Sequence, residues 1–544
     1  MDGLSLTFEQ FEALARRAQG GKDVHALAVP LGVRLLGDQL TPVVAYRRLV
    51  APDERTAPSF LLESVEGGER QGRYSILGAH PMLHVIARGE GTEVRGDLGA
   101  VRVKSSRSGS DPLSTVRTIS KSLTMVEPDE TAARFGMPGC FLGGWVGFAG
   151  YDTVRYVEPN KLPFSAAPED DRALPDLHMA FYGGSIVFDH AKGVVYVIQQ
   201  ALTPANASDQ ELRTAYDLAK ERIDGMVDML RAHTEPMTTA VLSEGPHDPM
   251  AQVTSTMTKP EHAAMVARAK EYICAGDIFQ VVLGQRFERK SGADPFDVYR
   301  ALRVVNPSPY MVYMQAEGCI LIASSPEILC RAKRDASGAM IVTNRPLAGT
   351  RRRGRDAAED AALERELLAD HKERAEHVML VDLGRNDVGR VACEGSVELA
   401  ALMEIERYSH VMHISSTVTG TLRDGLDAWD ALRAALPVGT ISGAPKVRAM
   451  QIIDELEPVK RGPYGGGLGY VGLDGQMDIA LALRTMVVPV KQQAGDQWIY
   501  HCQAAGGIVY DSEPDAEYQE TVNKAAALVR AIDVAERALR GGSD

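Results

Sequence analysis

The stretch RGPYGGGLGYVGLDG, residues 461–475, decides the fold class. It carries a GxGxxG match at Gly467, Gly469 and Gly472. In a dinucleotide-binding fold such a match follows a strand, opens a helix and is answered by an acid about 20 residues on. Here it follows another glycine cluster and runs into Leu473-Asp474-Gly475, a turn, and no acid lies near position 492. The glycines therefore do not mark a doubly wound nucleotide fold. The chain also has no Walker A or HExxH motif.

Outward from that stretch, elements come in blocks instead of a βαβα alternation, which indicates α+β. In the first half, PVVAYRRLV (42–50), SFLLESVEG (59–67), GRYSILGAHPMLHVIARG (72–89), FLGGWVGFAGYDTVRY (141–156) and HMAFYGGSIVFDHAKGVVYVIQQ (178–200) read as strands with Gly, Pro and Asp punctuation. A capped helix is expected over 208–233. Residues 233–258 are rich in Thr, Ser and Pro and read as a linker or loop. The division is thus 1–232, a linker at 233–258, and 259–544. The last region predicts helices over 259–275, 297–305, 356–380, 427–436, 445–455 and 516–538. Strands are predicted there at 279–289, 311–315, 319–324 and 328–332. No repeat of 20–50 residues is present.

Composition excludes several classes. The 544 residues carry 59 Lys and Arg against 73 Asp and Glu, a net charge of −14. That argues against a nucleic-acid-coating protein, which needs clustered cations; the run Arg351-Arg352-Arg353-Gly354-Arg355 reads as a solvated loop. Six cysteines without a CxxC pair are neither a disulfide framework nor a zinc ribbon, and they fit a reducing cytoplasm. The N-terminus lacks the apolar core of a secretory signal. The uncharged stretch 135–151 is broken by glycines and Pro138, so no membrane span is expected.

Two ExxE pairs stand out, Glu373 with Glu376 and Glu517 with Glu520. At i, i+3 two carboxylates share a helical face and repel, which a cation relieves. Carboxylates from two helices plus water suit Mg²⁺, a hard ion. Spacing alone fits a solvated helix as well, with Lys372 and Arg374 beside the first pair.

Longer strings narrow the reading: IFQVVLGQR (278–286), ASSPEIL (323–329), RPLAGTRRRG (345–354), AEHVMLVDLGRND (375–387), HVMHISSTVTG (410–420), PVGTISGAPKVRAMQIIDELEP (437–458), RGPYGGGLGYVG (461–472) and DIALALRTM (478–486). In order and spacing they resemble the chorismate-utilising enzymes over roughly residues 258–535. LLESVEGGERQGRYSILG (61–78) and NPSPYM (306–311) resemble the large subunits of its anthranilate-forming branch. The resemblance implies an α+β fold of large antiparallel sheets packed with helices in a layered sandwich. It also implies a cytoplasmic, magnesium-dependent lyase of tryptophan biosynthesis.

Within the family, water-adding isochorismate and salicylate synthases use a lysine base where this chain has Gln280, and an amide is no base near neutral pH. Aminodeoxychorismate synthases place a nucleophilic lysine where this chain has Ala348. Ammonia attacking C2 of chorismate remains, and Thr440 fits the same branch. The resemblance implies Glu327 as general acid for the leaving C4 hydroxyl and His413 as a second acid/base or orienting group. It implies Mg²⁺ on Glu373, Glu376, Glu517 and Glu520 as anchor for the ring carboxylate. The second carboxylate would fall to Tyr464, Arg484 and the amides of Gly506 and Gly507. This chain reads Gln503-Ala504-Ala505-Gly506-Gly507 against the family's alternating Gly-Ala-Gly, which bears on which amides serve.

No cysteine has glycine at both −2 and +2, so the glutaminase elbow is absent from the chain. A separate glutaminase subunit, hence a hetero-oligomer, is expected to supply ammonia from glutamine. The resemblance also implies an inhibitory L-tryptophan site at Glu63 and Ser64 with Asn306, Pro307, Ser308, Pro309, Tyr310 and Met311. The last three suit an indole; the first two suit the amino-acid ends. Outside enzymology, a non-catalytic paralogue that only binds a partner or tryptophan is the competing class.

Overall fold

The computed structural model describes residues 3–18, 25–66, 70–99, 111–128, 133–232, 237, 248–408, 411–493 and 495–539. Two large sheets, of 13 and 11 strands, organise them. Both draw strands from each half of the chain. In the larger, Ser59–Glu63 pairs antiparallel with Tyr310–Ala316, setting Glu63 opposite Met311. In the smaller, Gly144–Ala149 pairs with Gly467–Gly472.

The sheets face one another across an apolar layer that holds Phe60, Phe148, Tyr182, Leu321, Leu468 and Val487. Helices Phe8–Ala18, Pro42–Leu49, Asp209–Arg231, Pro295–Val305 and Pro514–Leu539 cover the outer face of the larger sheet. Helices Pro112–Lys121, His371–Gly389 and Ala428–Ala435 pack with the outer face of the smaller one. The result is the expected α+β layered sandwich. Strands buried on both faces lose the polar alternation, as in Leu177–Tyr182, where every residue is buried. Among the described residues no helix is long and apolar enough to cross a membrane.

The GxGxxG glycines lie in a strand, Gly467–Gly472. Gly469 sits at φ +153° opposite Gly147, and a Cβ there would fall 2.2 Å from the Asp478 carbonyl oxygen. Close strand approach, not a phosphate, explains that glycine.

Three expectations are corrected. Residues 42–50 form the helix Pro42–Leu49, not a strand: Thr41 caps it by accepting from the Val44 amide, and Pro42 stands in the first turn, where its missing N–H leaves no bond unmade. The strand expected over 141–156 stops at Ala149; Tyr151–Thr153 and Val154–Val157 are helical. The helix expected over 356–380 is two helices, Ala357–Ala369 and His371–Gly389. Asp370 divides them, its carboxylate accepting from the amides of Lys372 and Glu373. Of the linker, residues 233–236 and 238–247 lie outside the described residues. Its end forms a short turn, Pro249–Gln252, and the strand Thr254–Ser255, which pairs with Gln280–Ser291.

Candidate active site

The short strand Leu347–Arg352 links the parts of the site. The Leu347 backbone bonds the Glu327 carboxyl. The Gly349 carbonyl lies 3.1 Å from His413 Nδ1, and Thr350 Oγ1 lies 3.0 Å from the same nitrogen. A Cβ on Gly349, at φ +71°, would stand 3.2 Å from Glu373 Oε2. The strand also corrects the reading of the arginine run as a solvated loop: Arg351 and Arg352 end the strand, Arg351 pairing with Glu366, Asp370 and Glu373 and Arg352 with Glu359.

Glu327 is 3% exposed, and burial raises its carboxyl from 4.5 to about 8. Thr440 Oγ1 donates to its Oε1 at 2.9 Å, which opposes the rise without cancelling it. A carboxyl in this state is protonated at neutral pH and can donate. Thr440 is held by the short helix Gly439–Ser442. The buried Arg461 guanidinium steadies that turn by donating to the Ile441 carbonyl (2.7 Å). It also donates to the Val282 carbonyl (2.6 Å) and pairs with Glu457 (2.6 Å).

His413 is buried, and burial foremost, with Arg484 nearby, lowers its imidazole to about 4. The Gly349 carbonyl can only accept, which assigns the proton to Nδ1 and leaves Nε2 a lone pair. Nε2 is buried and has no hydrogen-bond partner. The Tyr408 ring stands 5.6 Å from the imidazole.

Arg484 is half-buried, and its guanidinium makes no ion pair among the described residues. Its backbone lies at φ +45°, a strained value for a branched-off side chain, and its carbonyl accepts from the Ser324 amide at 3.1 Å. Burial lowers its pKa, with Tyr408 opposing. Tyr464 is buried, and its hydroxyl is bonded to the Ala505 backbone.

The four glutamates come from the helices His371–Gly389 and Pro514–Leu539. Three converge on Gly506 and Gly507. A Cβ at Gly506 would stand 3.0 Å from Glu517 Oε2 and 3.9 Å from Glu520 Oε1; one at Gly507 would stand 3.5 Å from Glu376 Oε1. Glu376 accepts from Gln280 Nε2 at 2.9 Å, and its pKa is raised by burial and then by Glu373 and Glu520. Burial, with Glu520 adding, raises Glu517, whose Oε2 is buried without a partner. Glu373 lies 3.3 Å from Arg351 and Glu520 lies 2.7 Å from Lys524. Among the described residues no three His, Cys, Asp or Glu side chains stand in a metal-holding arrangement.

Lys524, Tyr408, Thr350 and the Arg461–Glu457 pair were missed by sequence reasoning. Lys524 follows Glu520 by four residues on one helix face, and that spacing was a usable signal. Tyr408 follows the strand Glu398–Arg407 and lies five residues before His413, which its ring meets once that strand pairs with Val411–Thr421.

Away from this site, the structure brings the two strings of the expected tryptophan site side by side. Glu63 faces Met311 across the ladder, and the Val65 amide donates to the Ser308 carbonyl at 3.2 Å. Glu63 is buried, accepts from the Tyr299 hydroxyl at 2.6 Å and pairs with Arg303 at 2.8 Å. Ser64 packs on Gly72, where a Cβ would stand 2.2 Å from its Oγ. Asn306 Nδ2 is buried without a partner. Tyr310 turns away, donating to Asp478 at 2.7 Å and accepting from Arg331 at 2.7 Å. Pro307 and Pro309 shape the turn between the helix Pro295–Val305 and the strand Tyr310–Ala316.

The fold and this constellation define a class: the chain belongs to the chorismate binding enzyme family, which matches residues 58–530. Its relatives are narrower than the family. It is 51% identical to anthranilate synthase alpha subunit 1, chloroplastic, of Oryza sativa subsp. indica, covering 97% of this chain and 93% of that protein. It is 43% identical to anthranilate synthase component 1 of Acetivibrio thermocellus, covering 93% and 96%. The crystal structure of anthranilate synthase component I from Streptococcus pneumoniae TIGR4 is similar at a TM-score of 0.69 and 35% identity, covering 91% of this chain and 99% of that one.

Proposed function

We propose that this chain is the large, chorismate-binding subunit of an anthranilate synthase, converting chorismate and ammonia to anthranilate, pyruvate and water. The observation that carries the choice within the family is Gln280. Its amide nitrogen donates to Glu376, so this position offers no lysine to activate water, and Ala348 offers none to attack the ring.

The geometry supports the following roles. Ammonia adds to C2 while the C4 hydroxyl leaves; hydroxide is a poor leaving group, and Glu327 gives it the proton that lets it depart as water. His413 Nε2, neutral and unpaired, takes the C2 proton as pyruvate is eliminated and the ring becomes aromatic. Arg484 and the backbone around Gly506 and Gly507 hold the enolpyruvyl carboxylate, with Tyr464 fixing that strand through Ala505. The donor chemistry of Glu373, Glu376, Glu517 and Glu520 suits Mg²⁺: all are carboxylates, burial and mutual charge raise Glu376 and Glu517, and one buried oxygen has no partner; a bound ion would take the place of Arg351 at Glu373 and of Lys524 at Glu520. The metal would supply positive charge for the ring carboxylate.

A separate glutaminase subunit supplies the ammonia. Glu63, Ser64 and the Asn306–Met311 turn, within the N-terminal region and beside it, take L-tryptophan as feedback inhibitor. The free cysteines fit a cytoplasmic setting. The test is product analysis on the purified chain with chorismate, Mg²⁺ and either ammonium or glutamine. Anthranilate from ammonium alone is expected. Isochorismate would refute the branch, and glutamine-driven turnover by the isolated chain would refute the separate glutaminase.

A further inference from the structure

Between the Asn306–Met311 turn and the catalytic acid lies an unbroken set of buried serines. Ser308 is 1% exposed, and Ser324 and Ser325 are 0% exposed. Ser324 Oγ donates to the Asn306 carbonyl and lies 3.0 Å from Ser308 Oγ. Ser308 Oγ donates to the Ser325 carbonyl at 2.9 Å. Ser325 Oγ in turn donates to the Leu481 carbonyl at 2.5 Å and accepts from the Glu327 amide at 3.4 Å. The Leu481 amide closes the set by donating to the Glu327 carbonyl at 3.0 Å.

One of these serines also reaches the substrate anchor, through its backbone. The Ser324 amide donates to the carbonyl of Arg484, the residue held at φ +45°. A strained backbone persists only where its surroundings over-determine it. At the far end, the side-chain amide nitrogen of Asn306 is buried without a partner, a donor that a molecule bound against the turn would engage. Ser308, Ser324 and Ser325 are fully buried, so no water can substitute for a hydroxyl that shifts.

We propose that Ser324, with Ser308 and Ser325, is a positioning residue through which the Asn306–Met311 turn sets the placement of both Glu327 and Arg484. This rests on the reading that tryptophan binds beside Glu63 and Met311. An occupant that moves the turn pulls on Ser324 and Ser325 together, displacing the acid's backbone and the anchor's backbone at once. Linkage requires that chorismate weaken tryptophan binding by the factor through which tryptophan weakens chorismate.

The test is Ser324→Ala in the full chain. Tryptophan affinity is measured by calorimetry, and chorismate KM and kcat are followed by anthranilate fluorescence with ammonium, with and without tryptophan. Tryptophan is expected still to bind, while the ratio of chorismate KM with and without it falls at least about tenfold toward one. That ratio is unmoved by a merely structural role. In parallel, hydrogen exchange on the wild-type chain is expected to show altered protection at the Ser324 and Glu327 amides when tryptophan is added. A variant that keeps the wild-type ratio overturns the proposal. If the variant does not fold, unchanged exchange at both amides in the wild type overturns it. A wild-type chain that does not bind tryptophan overturns the regulatory reading itself, a result distinguishable from the other two.

Discussion

Replacing Glu327 by Gln tests the central chemical claim. Glutamine keeps the side chain's shape and an acceptor for the Thr440 hydroxyl, and removes only the proton. Burial moves the carboxyl from 4.5 to about 8. For a group whose folded pKa is raised, stability is full below the unfolded value and is lost as pH rises through the folded one. At about pH 7 the wild type therefore bears a penalty of ~3 kcal/mol relative to its state near pH 4, growing to ~5 kcal/mol above pH 8. Glutamine does not titrate, so the variant gains on the wild type by those amounts as pH rises. Catalysis moves the other way, with turnover falling about 10²–10⁴-fold at neutral pH. Denaturant midpoints of both proteins at about pH 5, 7 and 9 read the first effect, and anthranilate fluorescence at fixed free ammonia reads the second. At fixed free ammonia the wild type should also lose activity as pH rises through about 8. A stability difference independent of pH would refute the neutral buried acid. A variant with near wild-type turnover would refute its role.

Glu376→Gln and Glu520→Gln should each weaken Mg²⁺ binding, read by calorimetry without substrate, by at least about tenfold, or ~1.4 kcal/mol; unchanged affinity would remove these carboxylates from the metal set. Arg461→Met leaves Glu457 charged and buried and should destabilise the fold by about 3–5 kcal/mol in denaturant titration, with the Thr440 turn loosened; a loss under 1 kcal/mol would show that Glu457 finds another partner. Ser64→Phe fills the space against Gly72 and should abolish tryptophan inhibition while ammonium-driven turnover persists; inhibition as strong as in the wild type would take Ser64 out of the site.

Much of the site was legible in one dimension because its parts are local. The i, i+3 glutamates share a face wherever a helix forms, and a missing lysine at 280 or 348 is a fact of sequence. The long helices of the second half and its strands up to residue 332 followed from periodicity and caps, whereas the strands from Met340–Arg345 to Trp498–Ile508 did not; those buried on both faces, as at Thr485–Pro489, carry no alternation. Residues 42–50 did not either, because a Thr-Pro helix start outweighed a β-rich composition. The break at Asp370 was likewise hidden inside a continuous helical pattern, although it sets where Glu373 and Glu376 begin their helix.

Tertiary structure decided what depends on residues far apart in the chain. Protonation of Glu327 follows from burial among segments near 325, 347, 440 and 481, and no neighbour in sequence reports that desolvation. The tautomer of His413 rests on a carbonyl 64 positions away. The sharing of both sheets by the two halves arises from strand pairing across more than 200 residues, which places Glu63 against Met311 and Gly147 against Gly469. Sequence by itself determined which chemical groups the protein owns and in what local spacing. Which of them are dry, paired or left open was decided only when distant strands closed over them, because desolvation and hydrogen bonding are properties of the assembled surroundings.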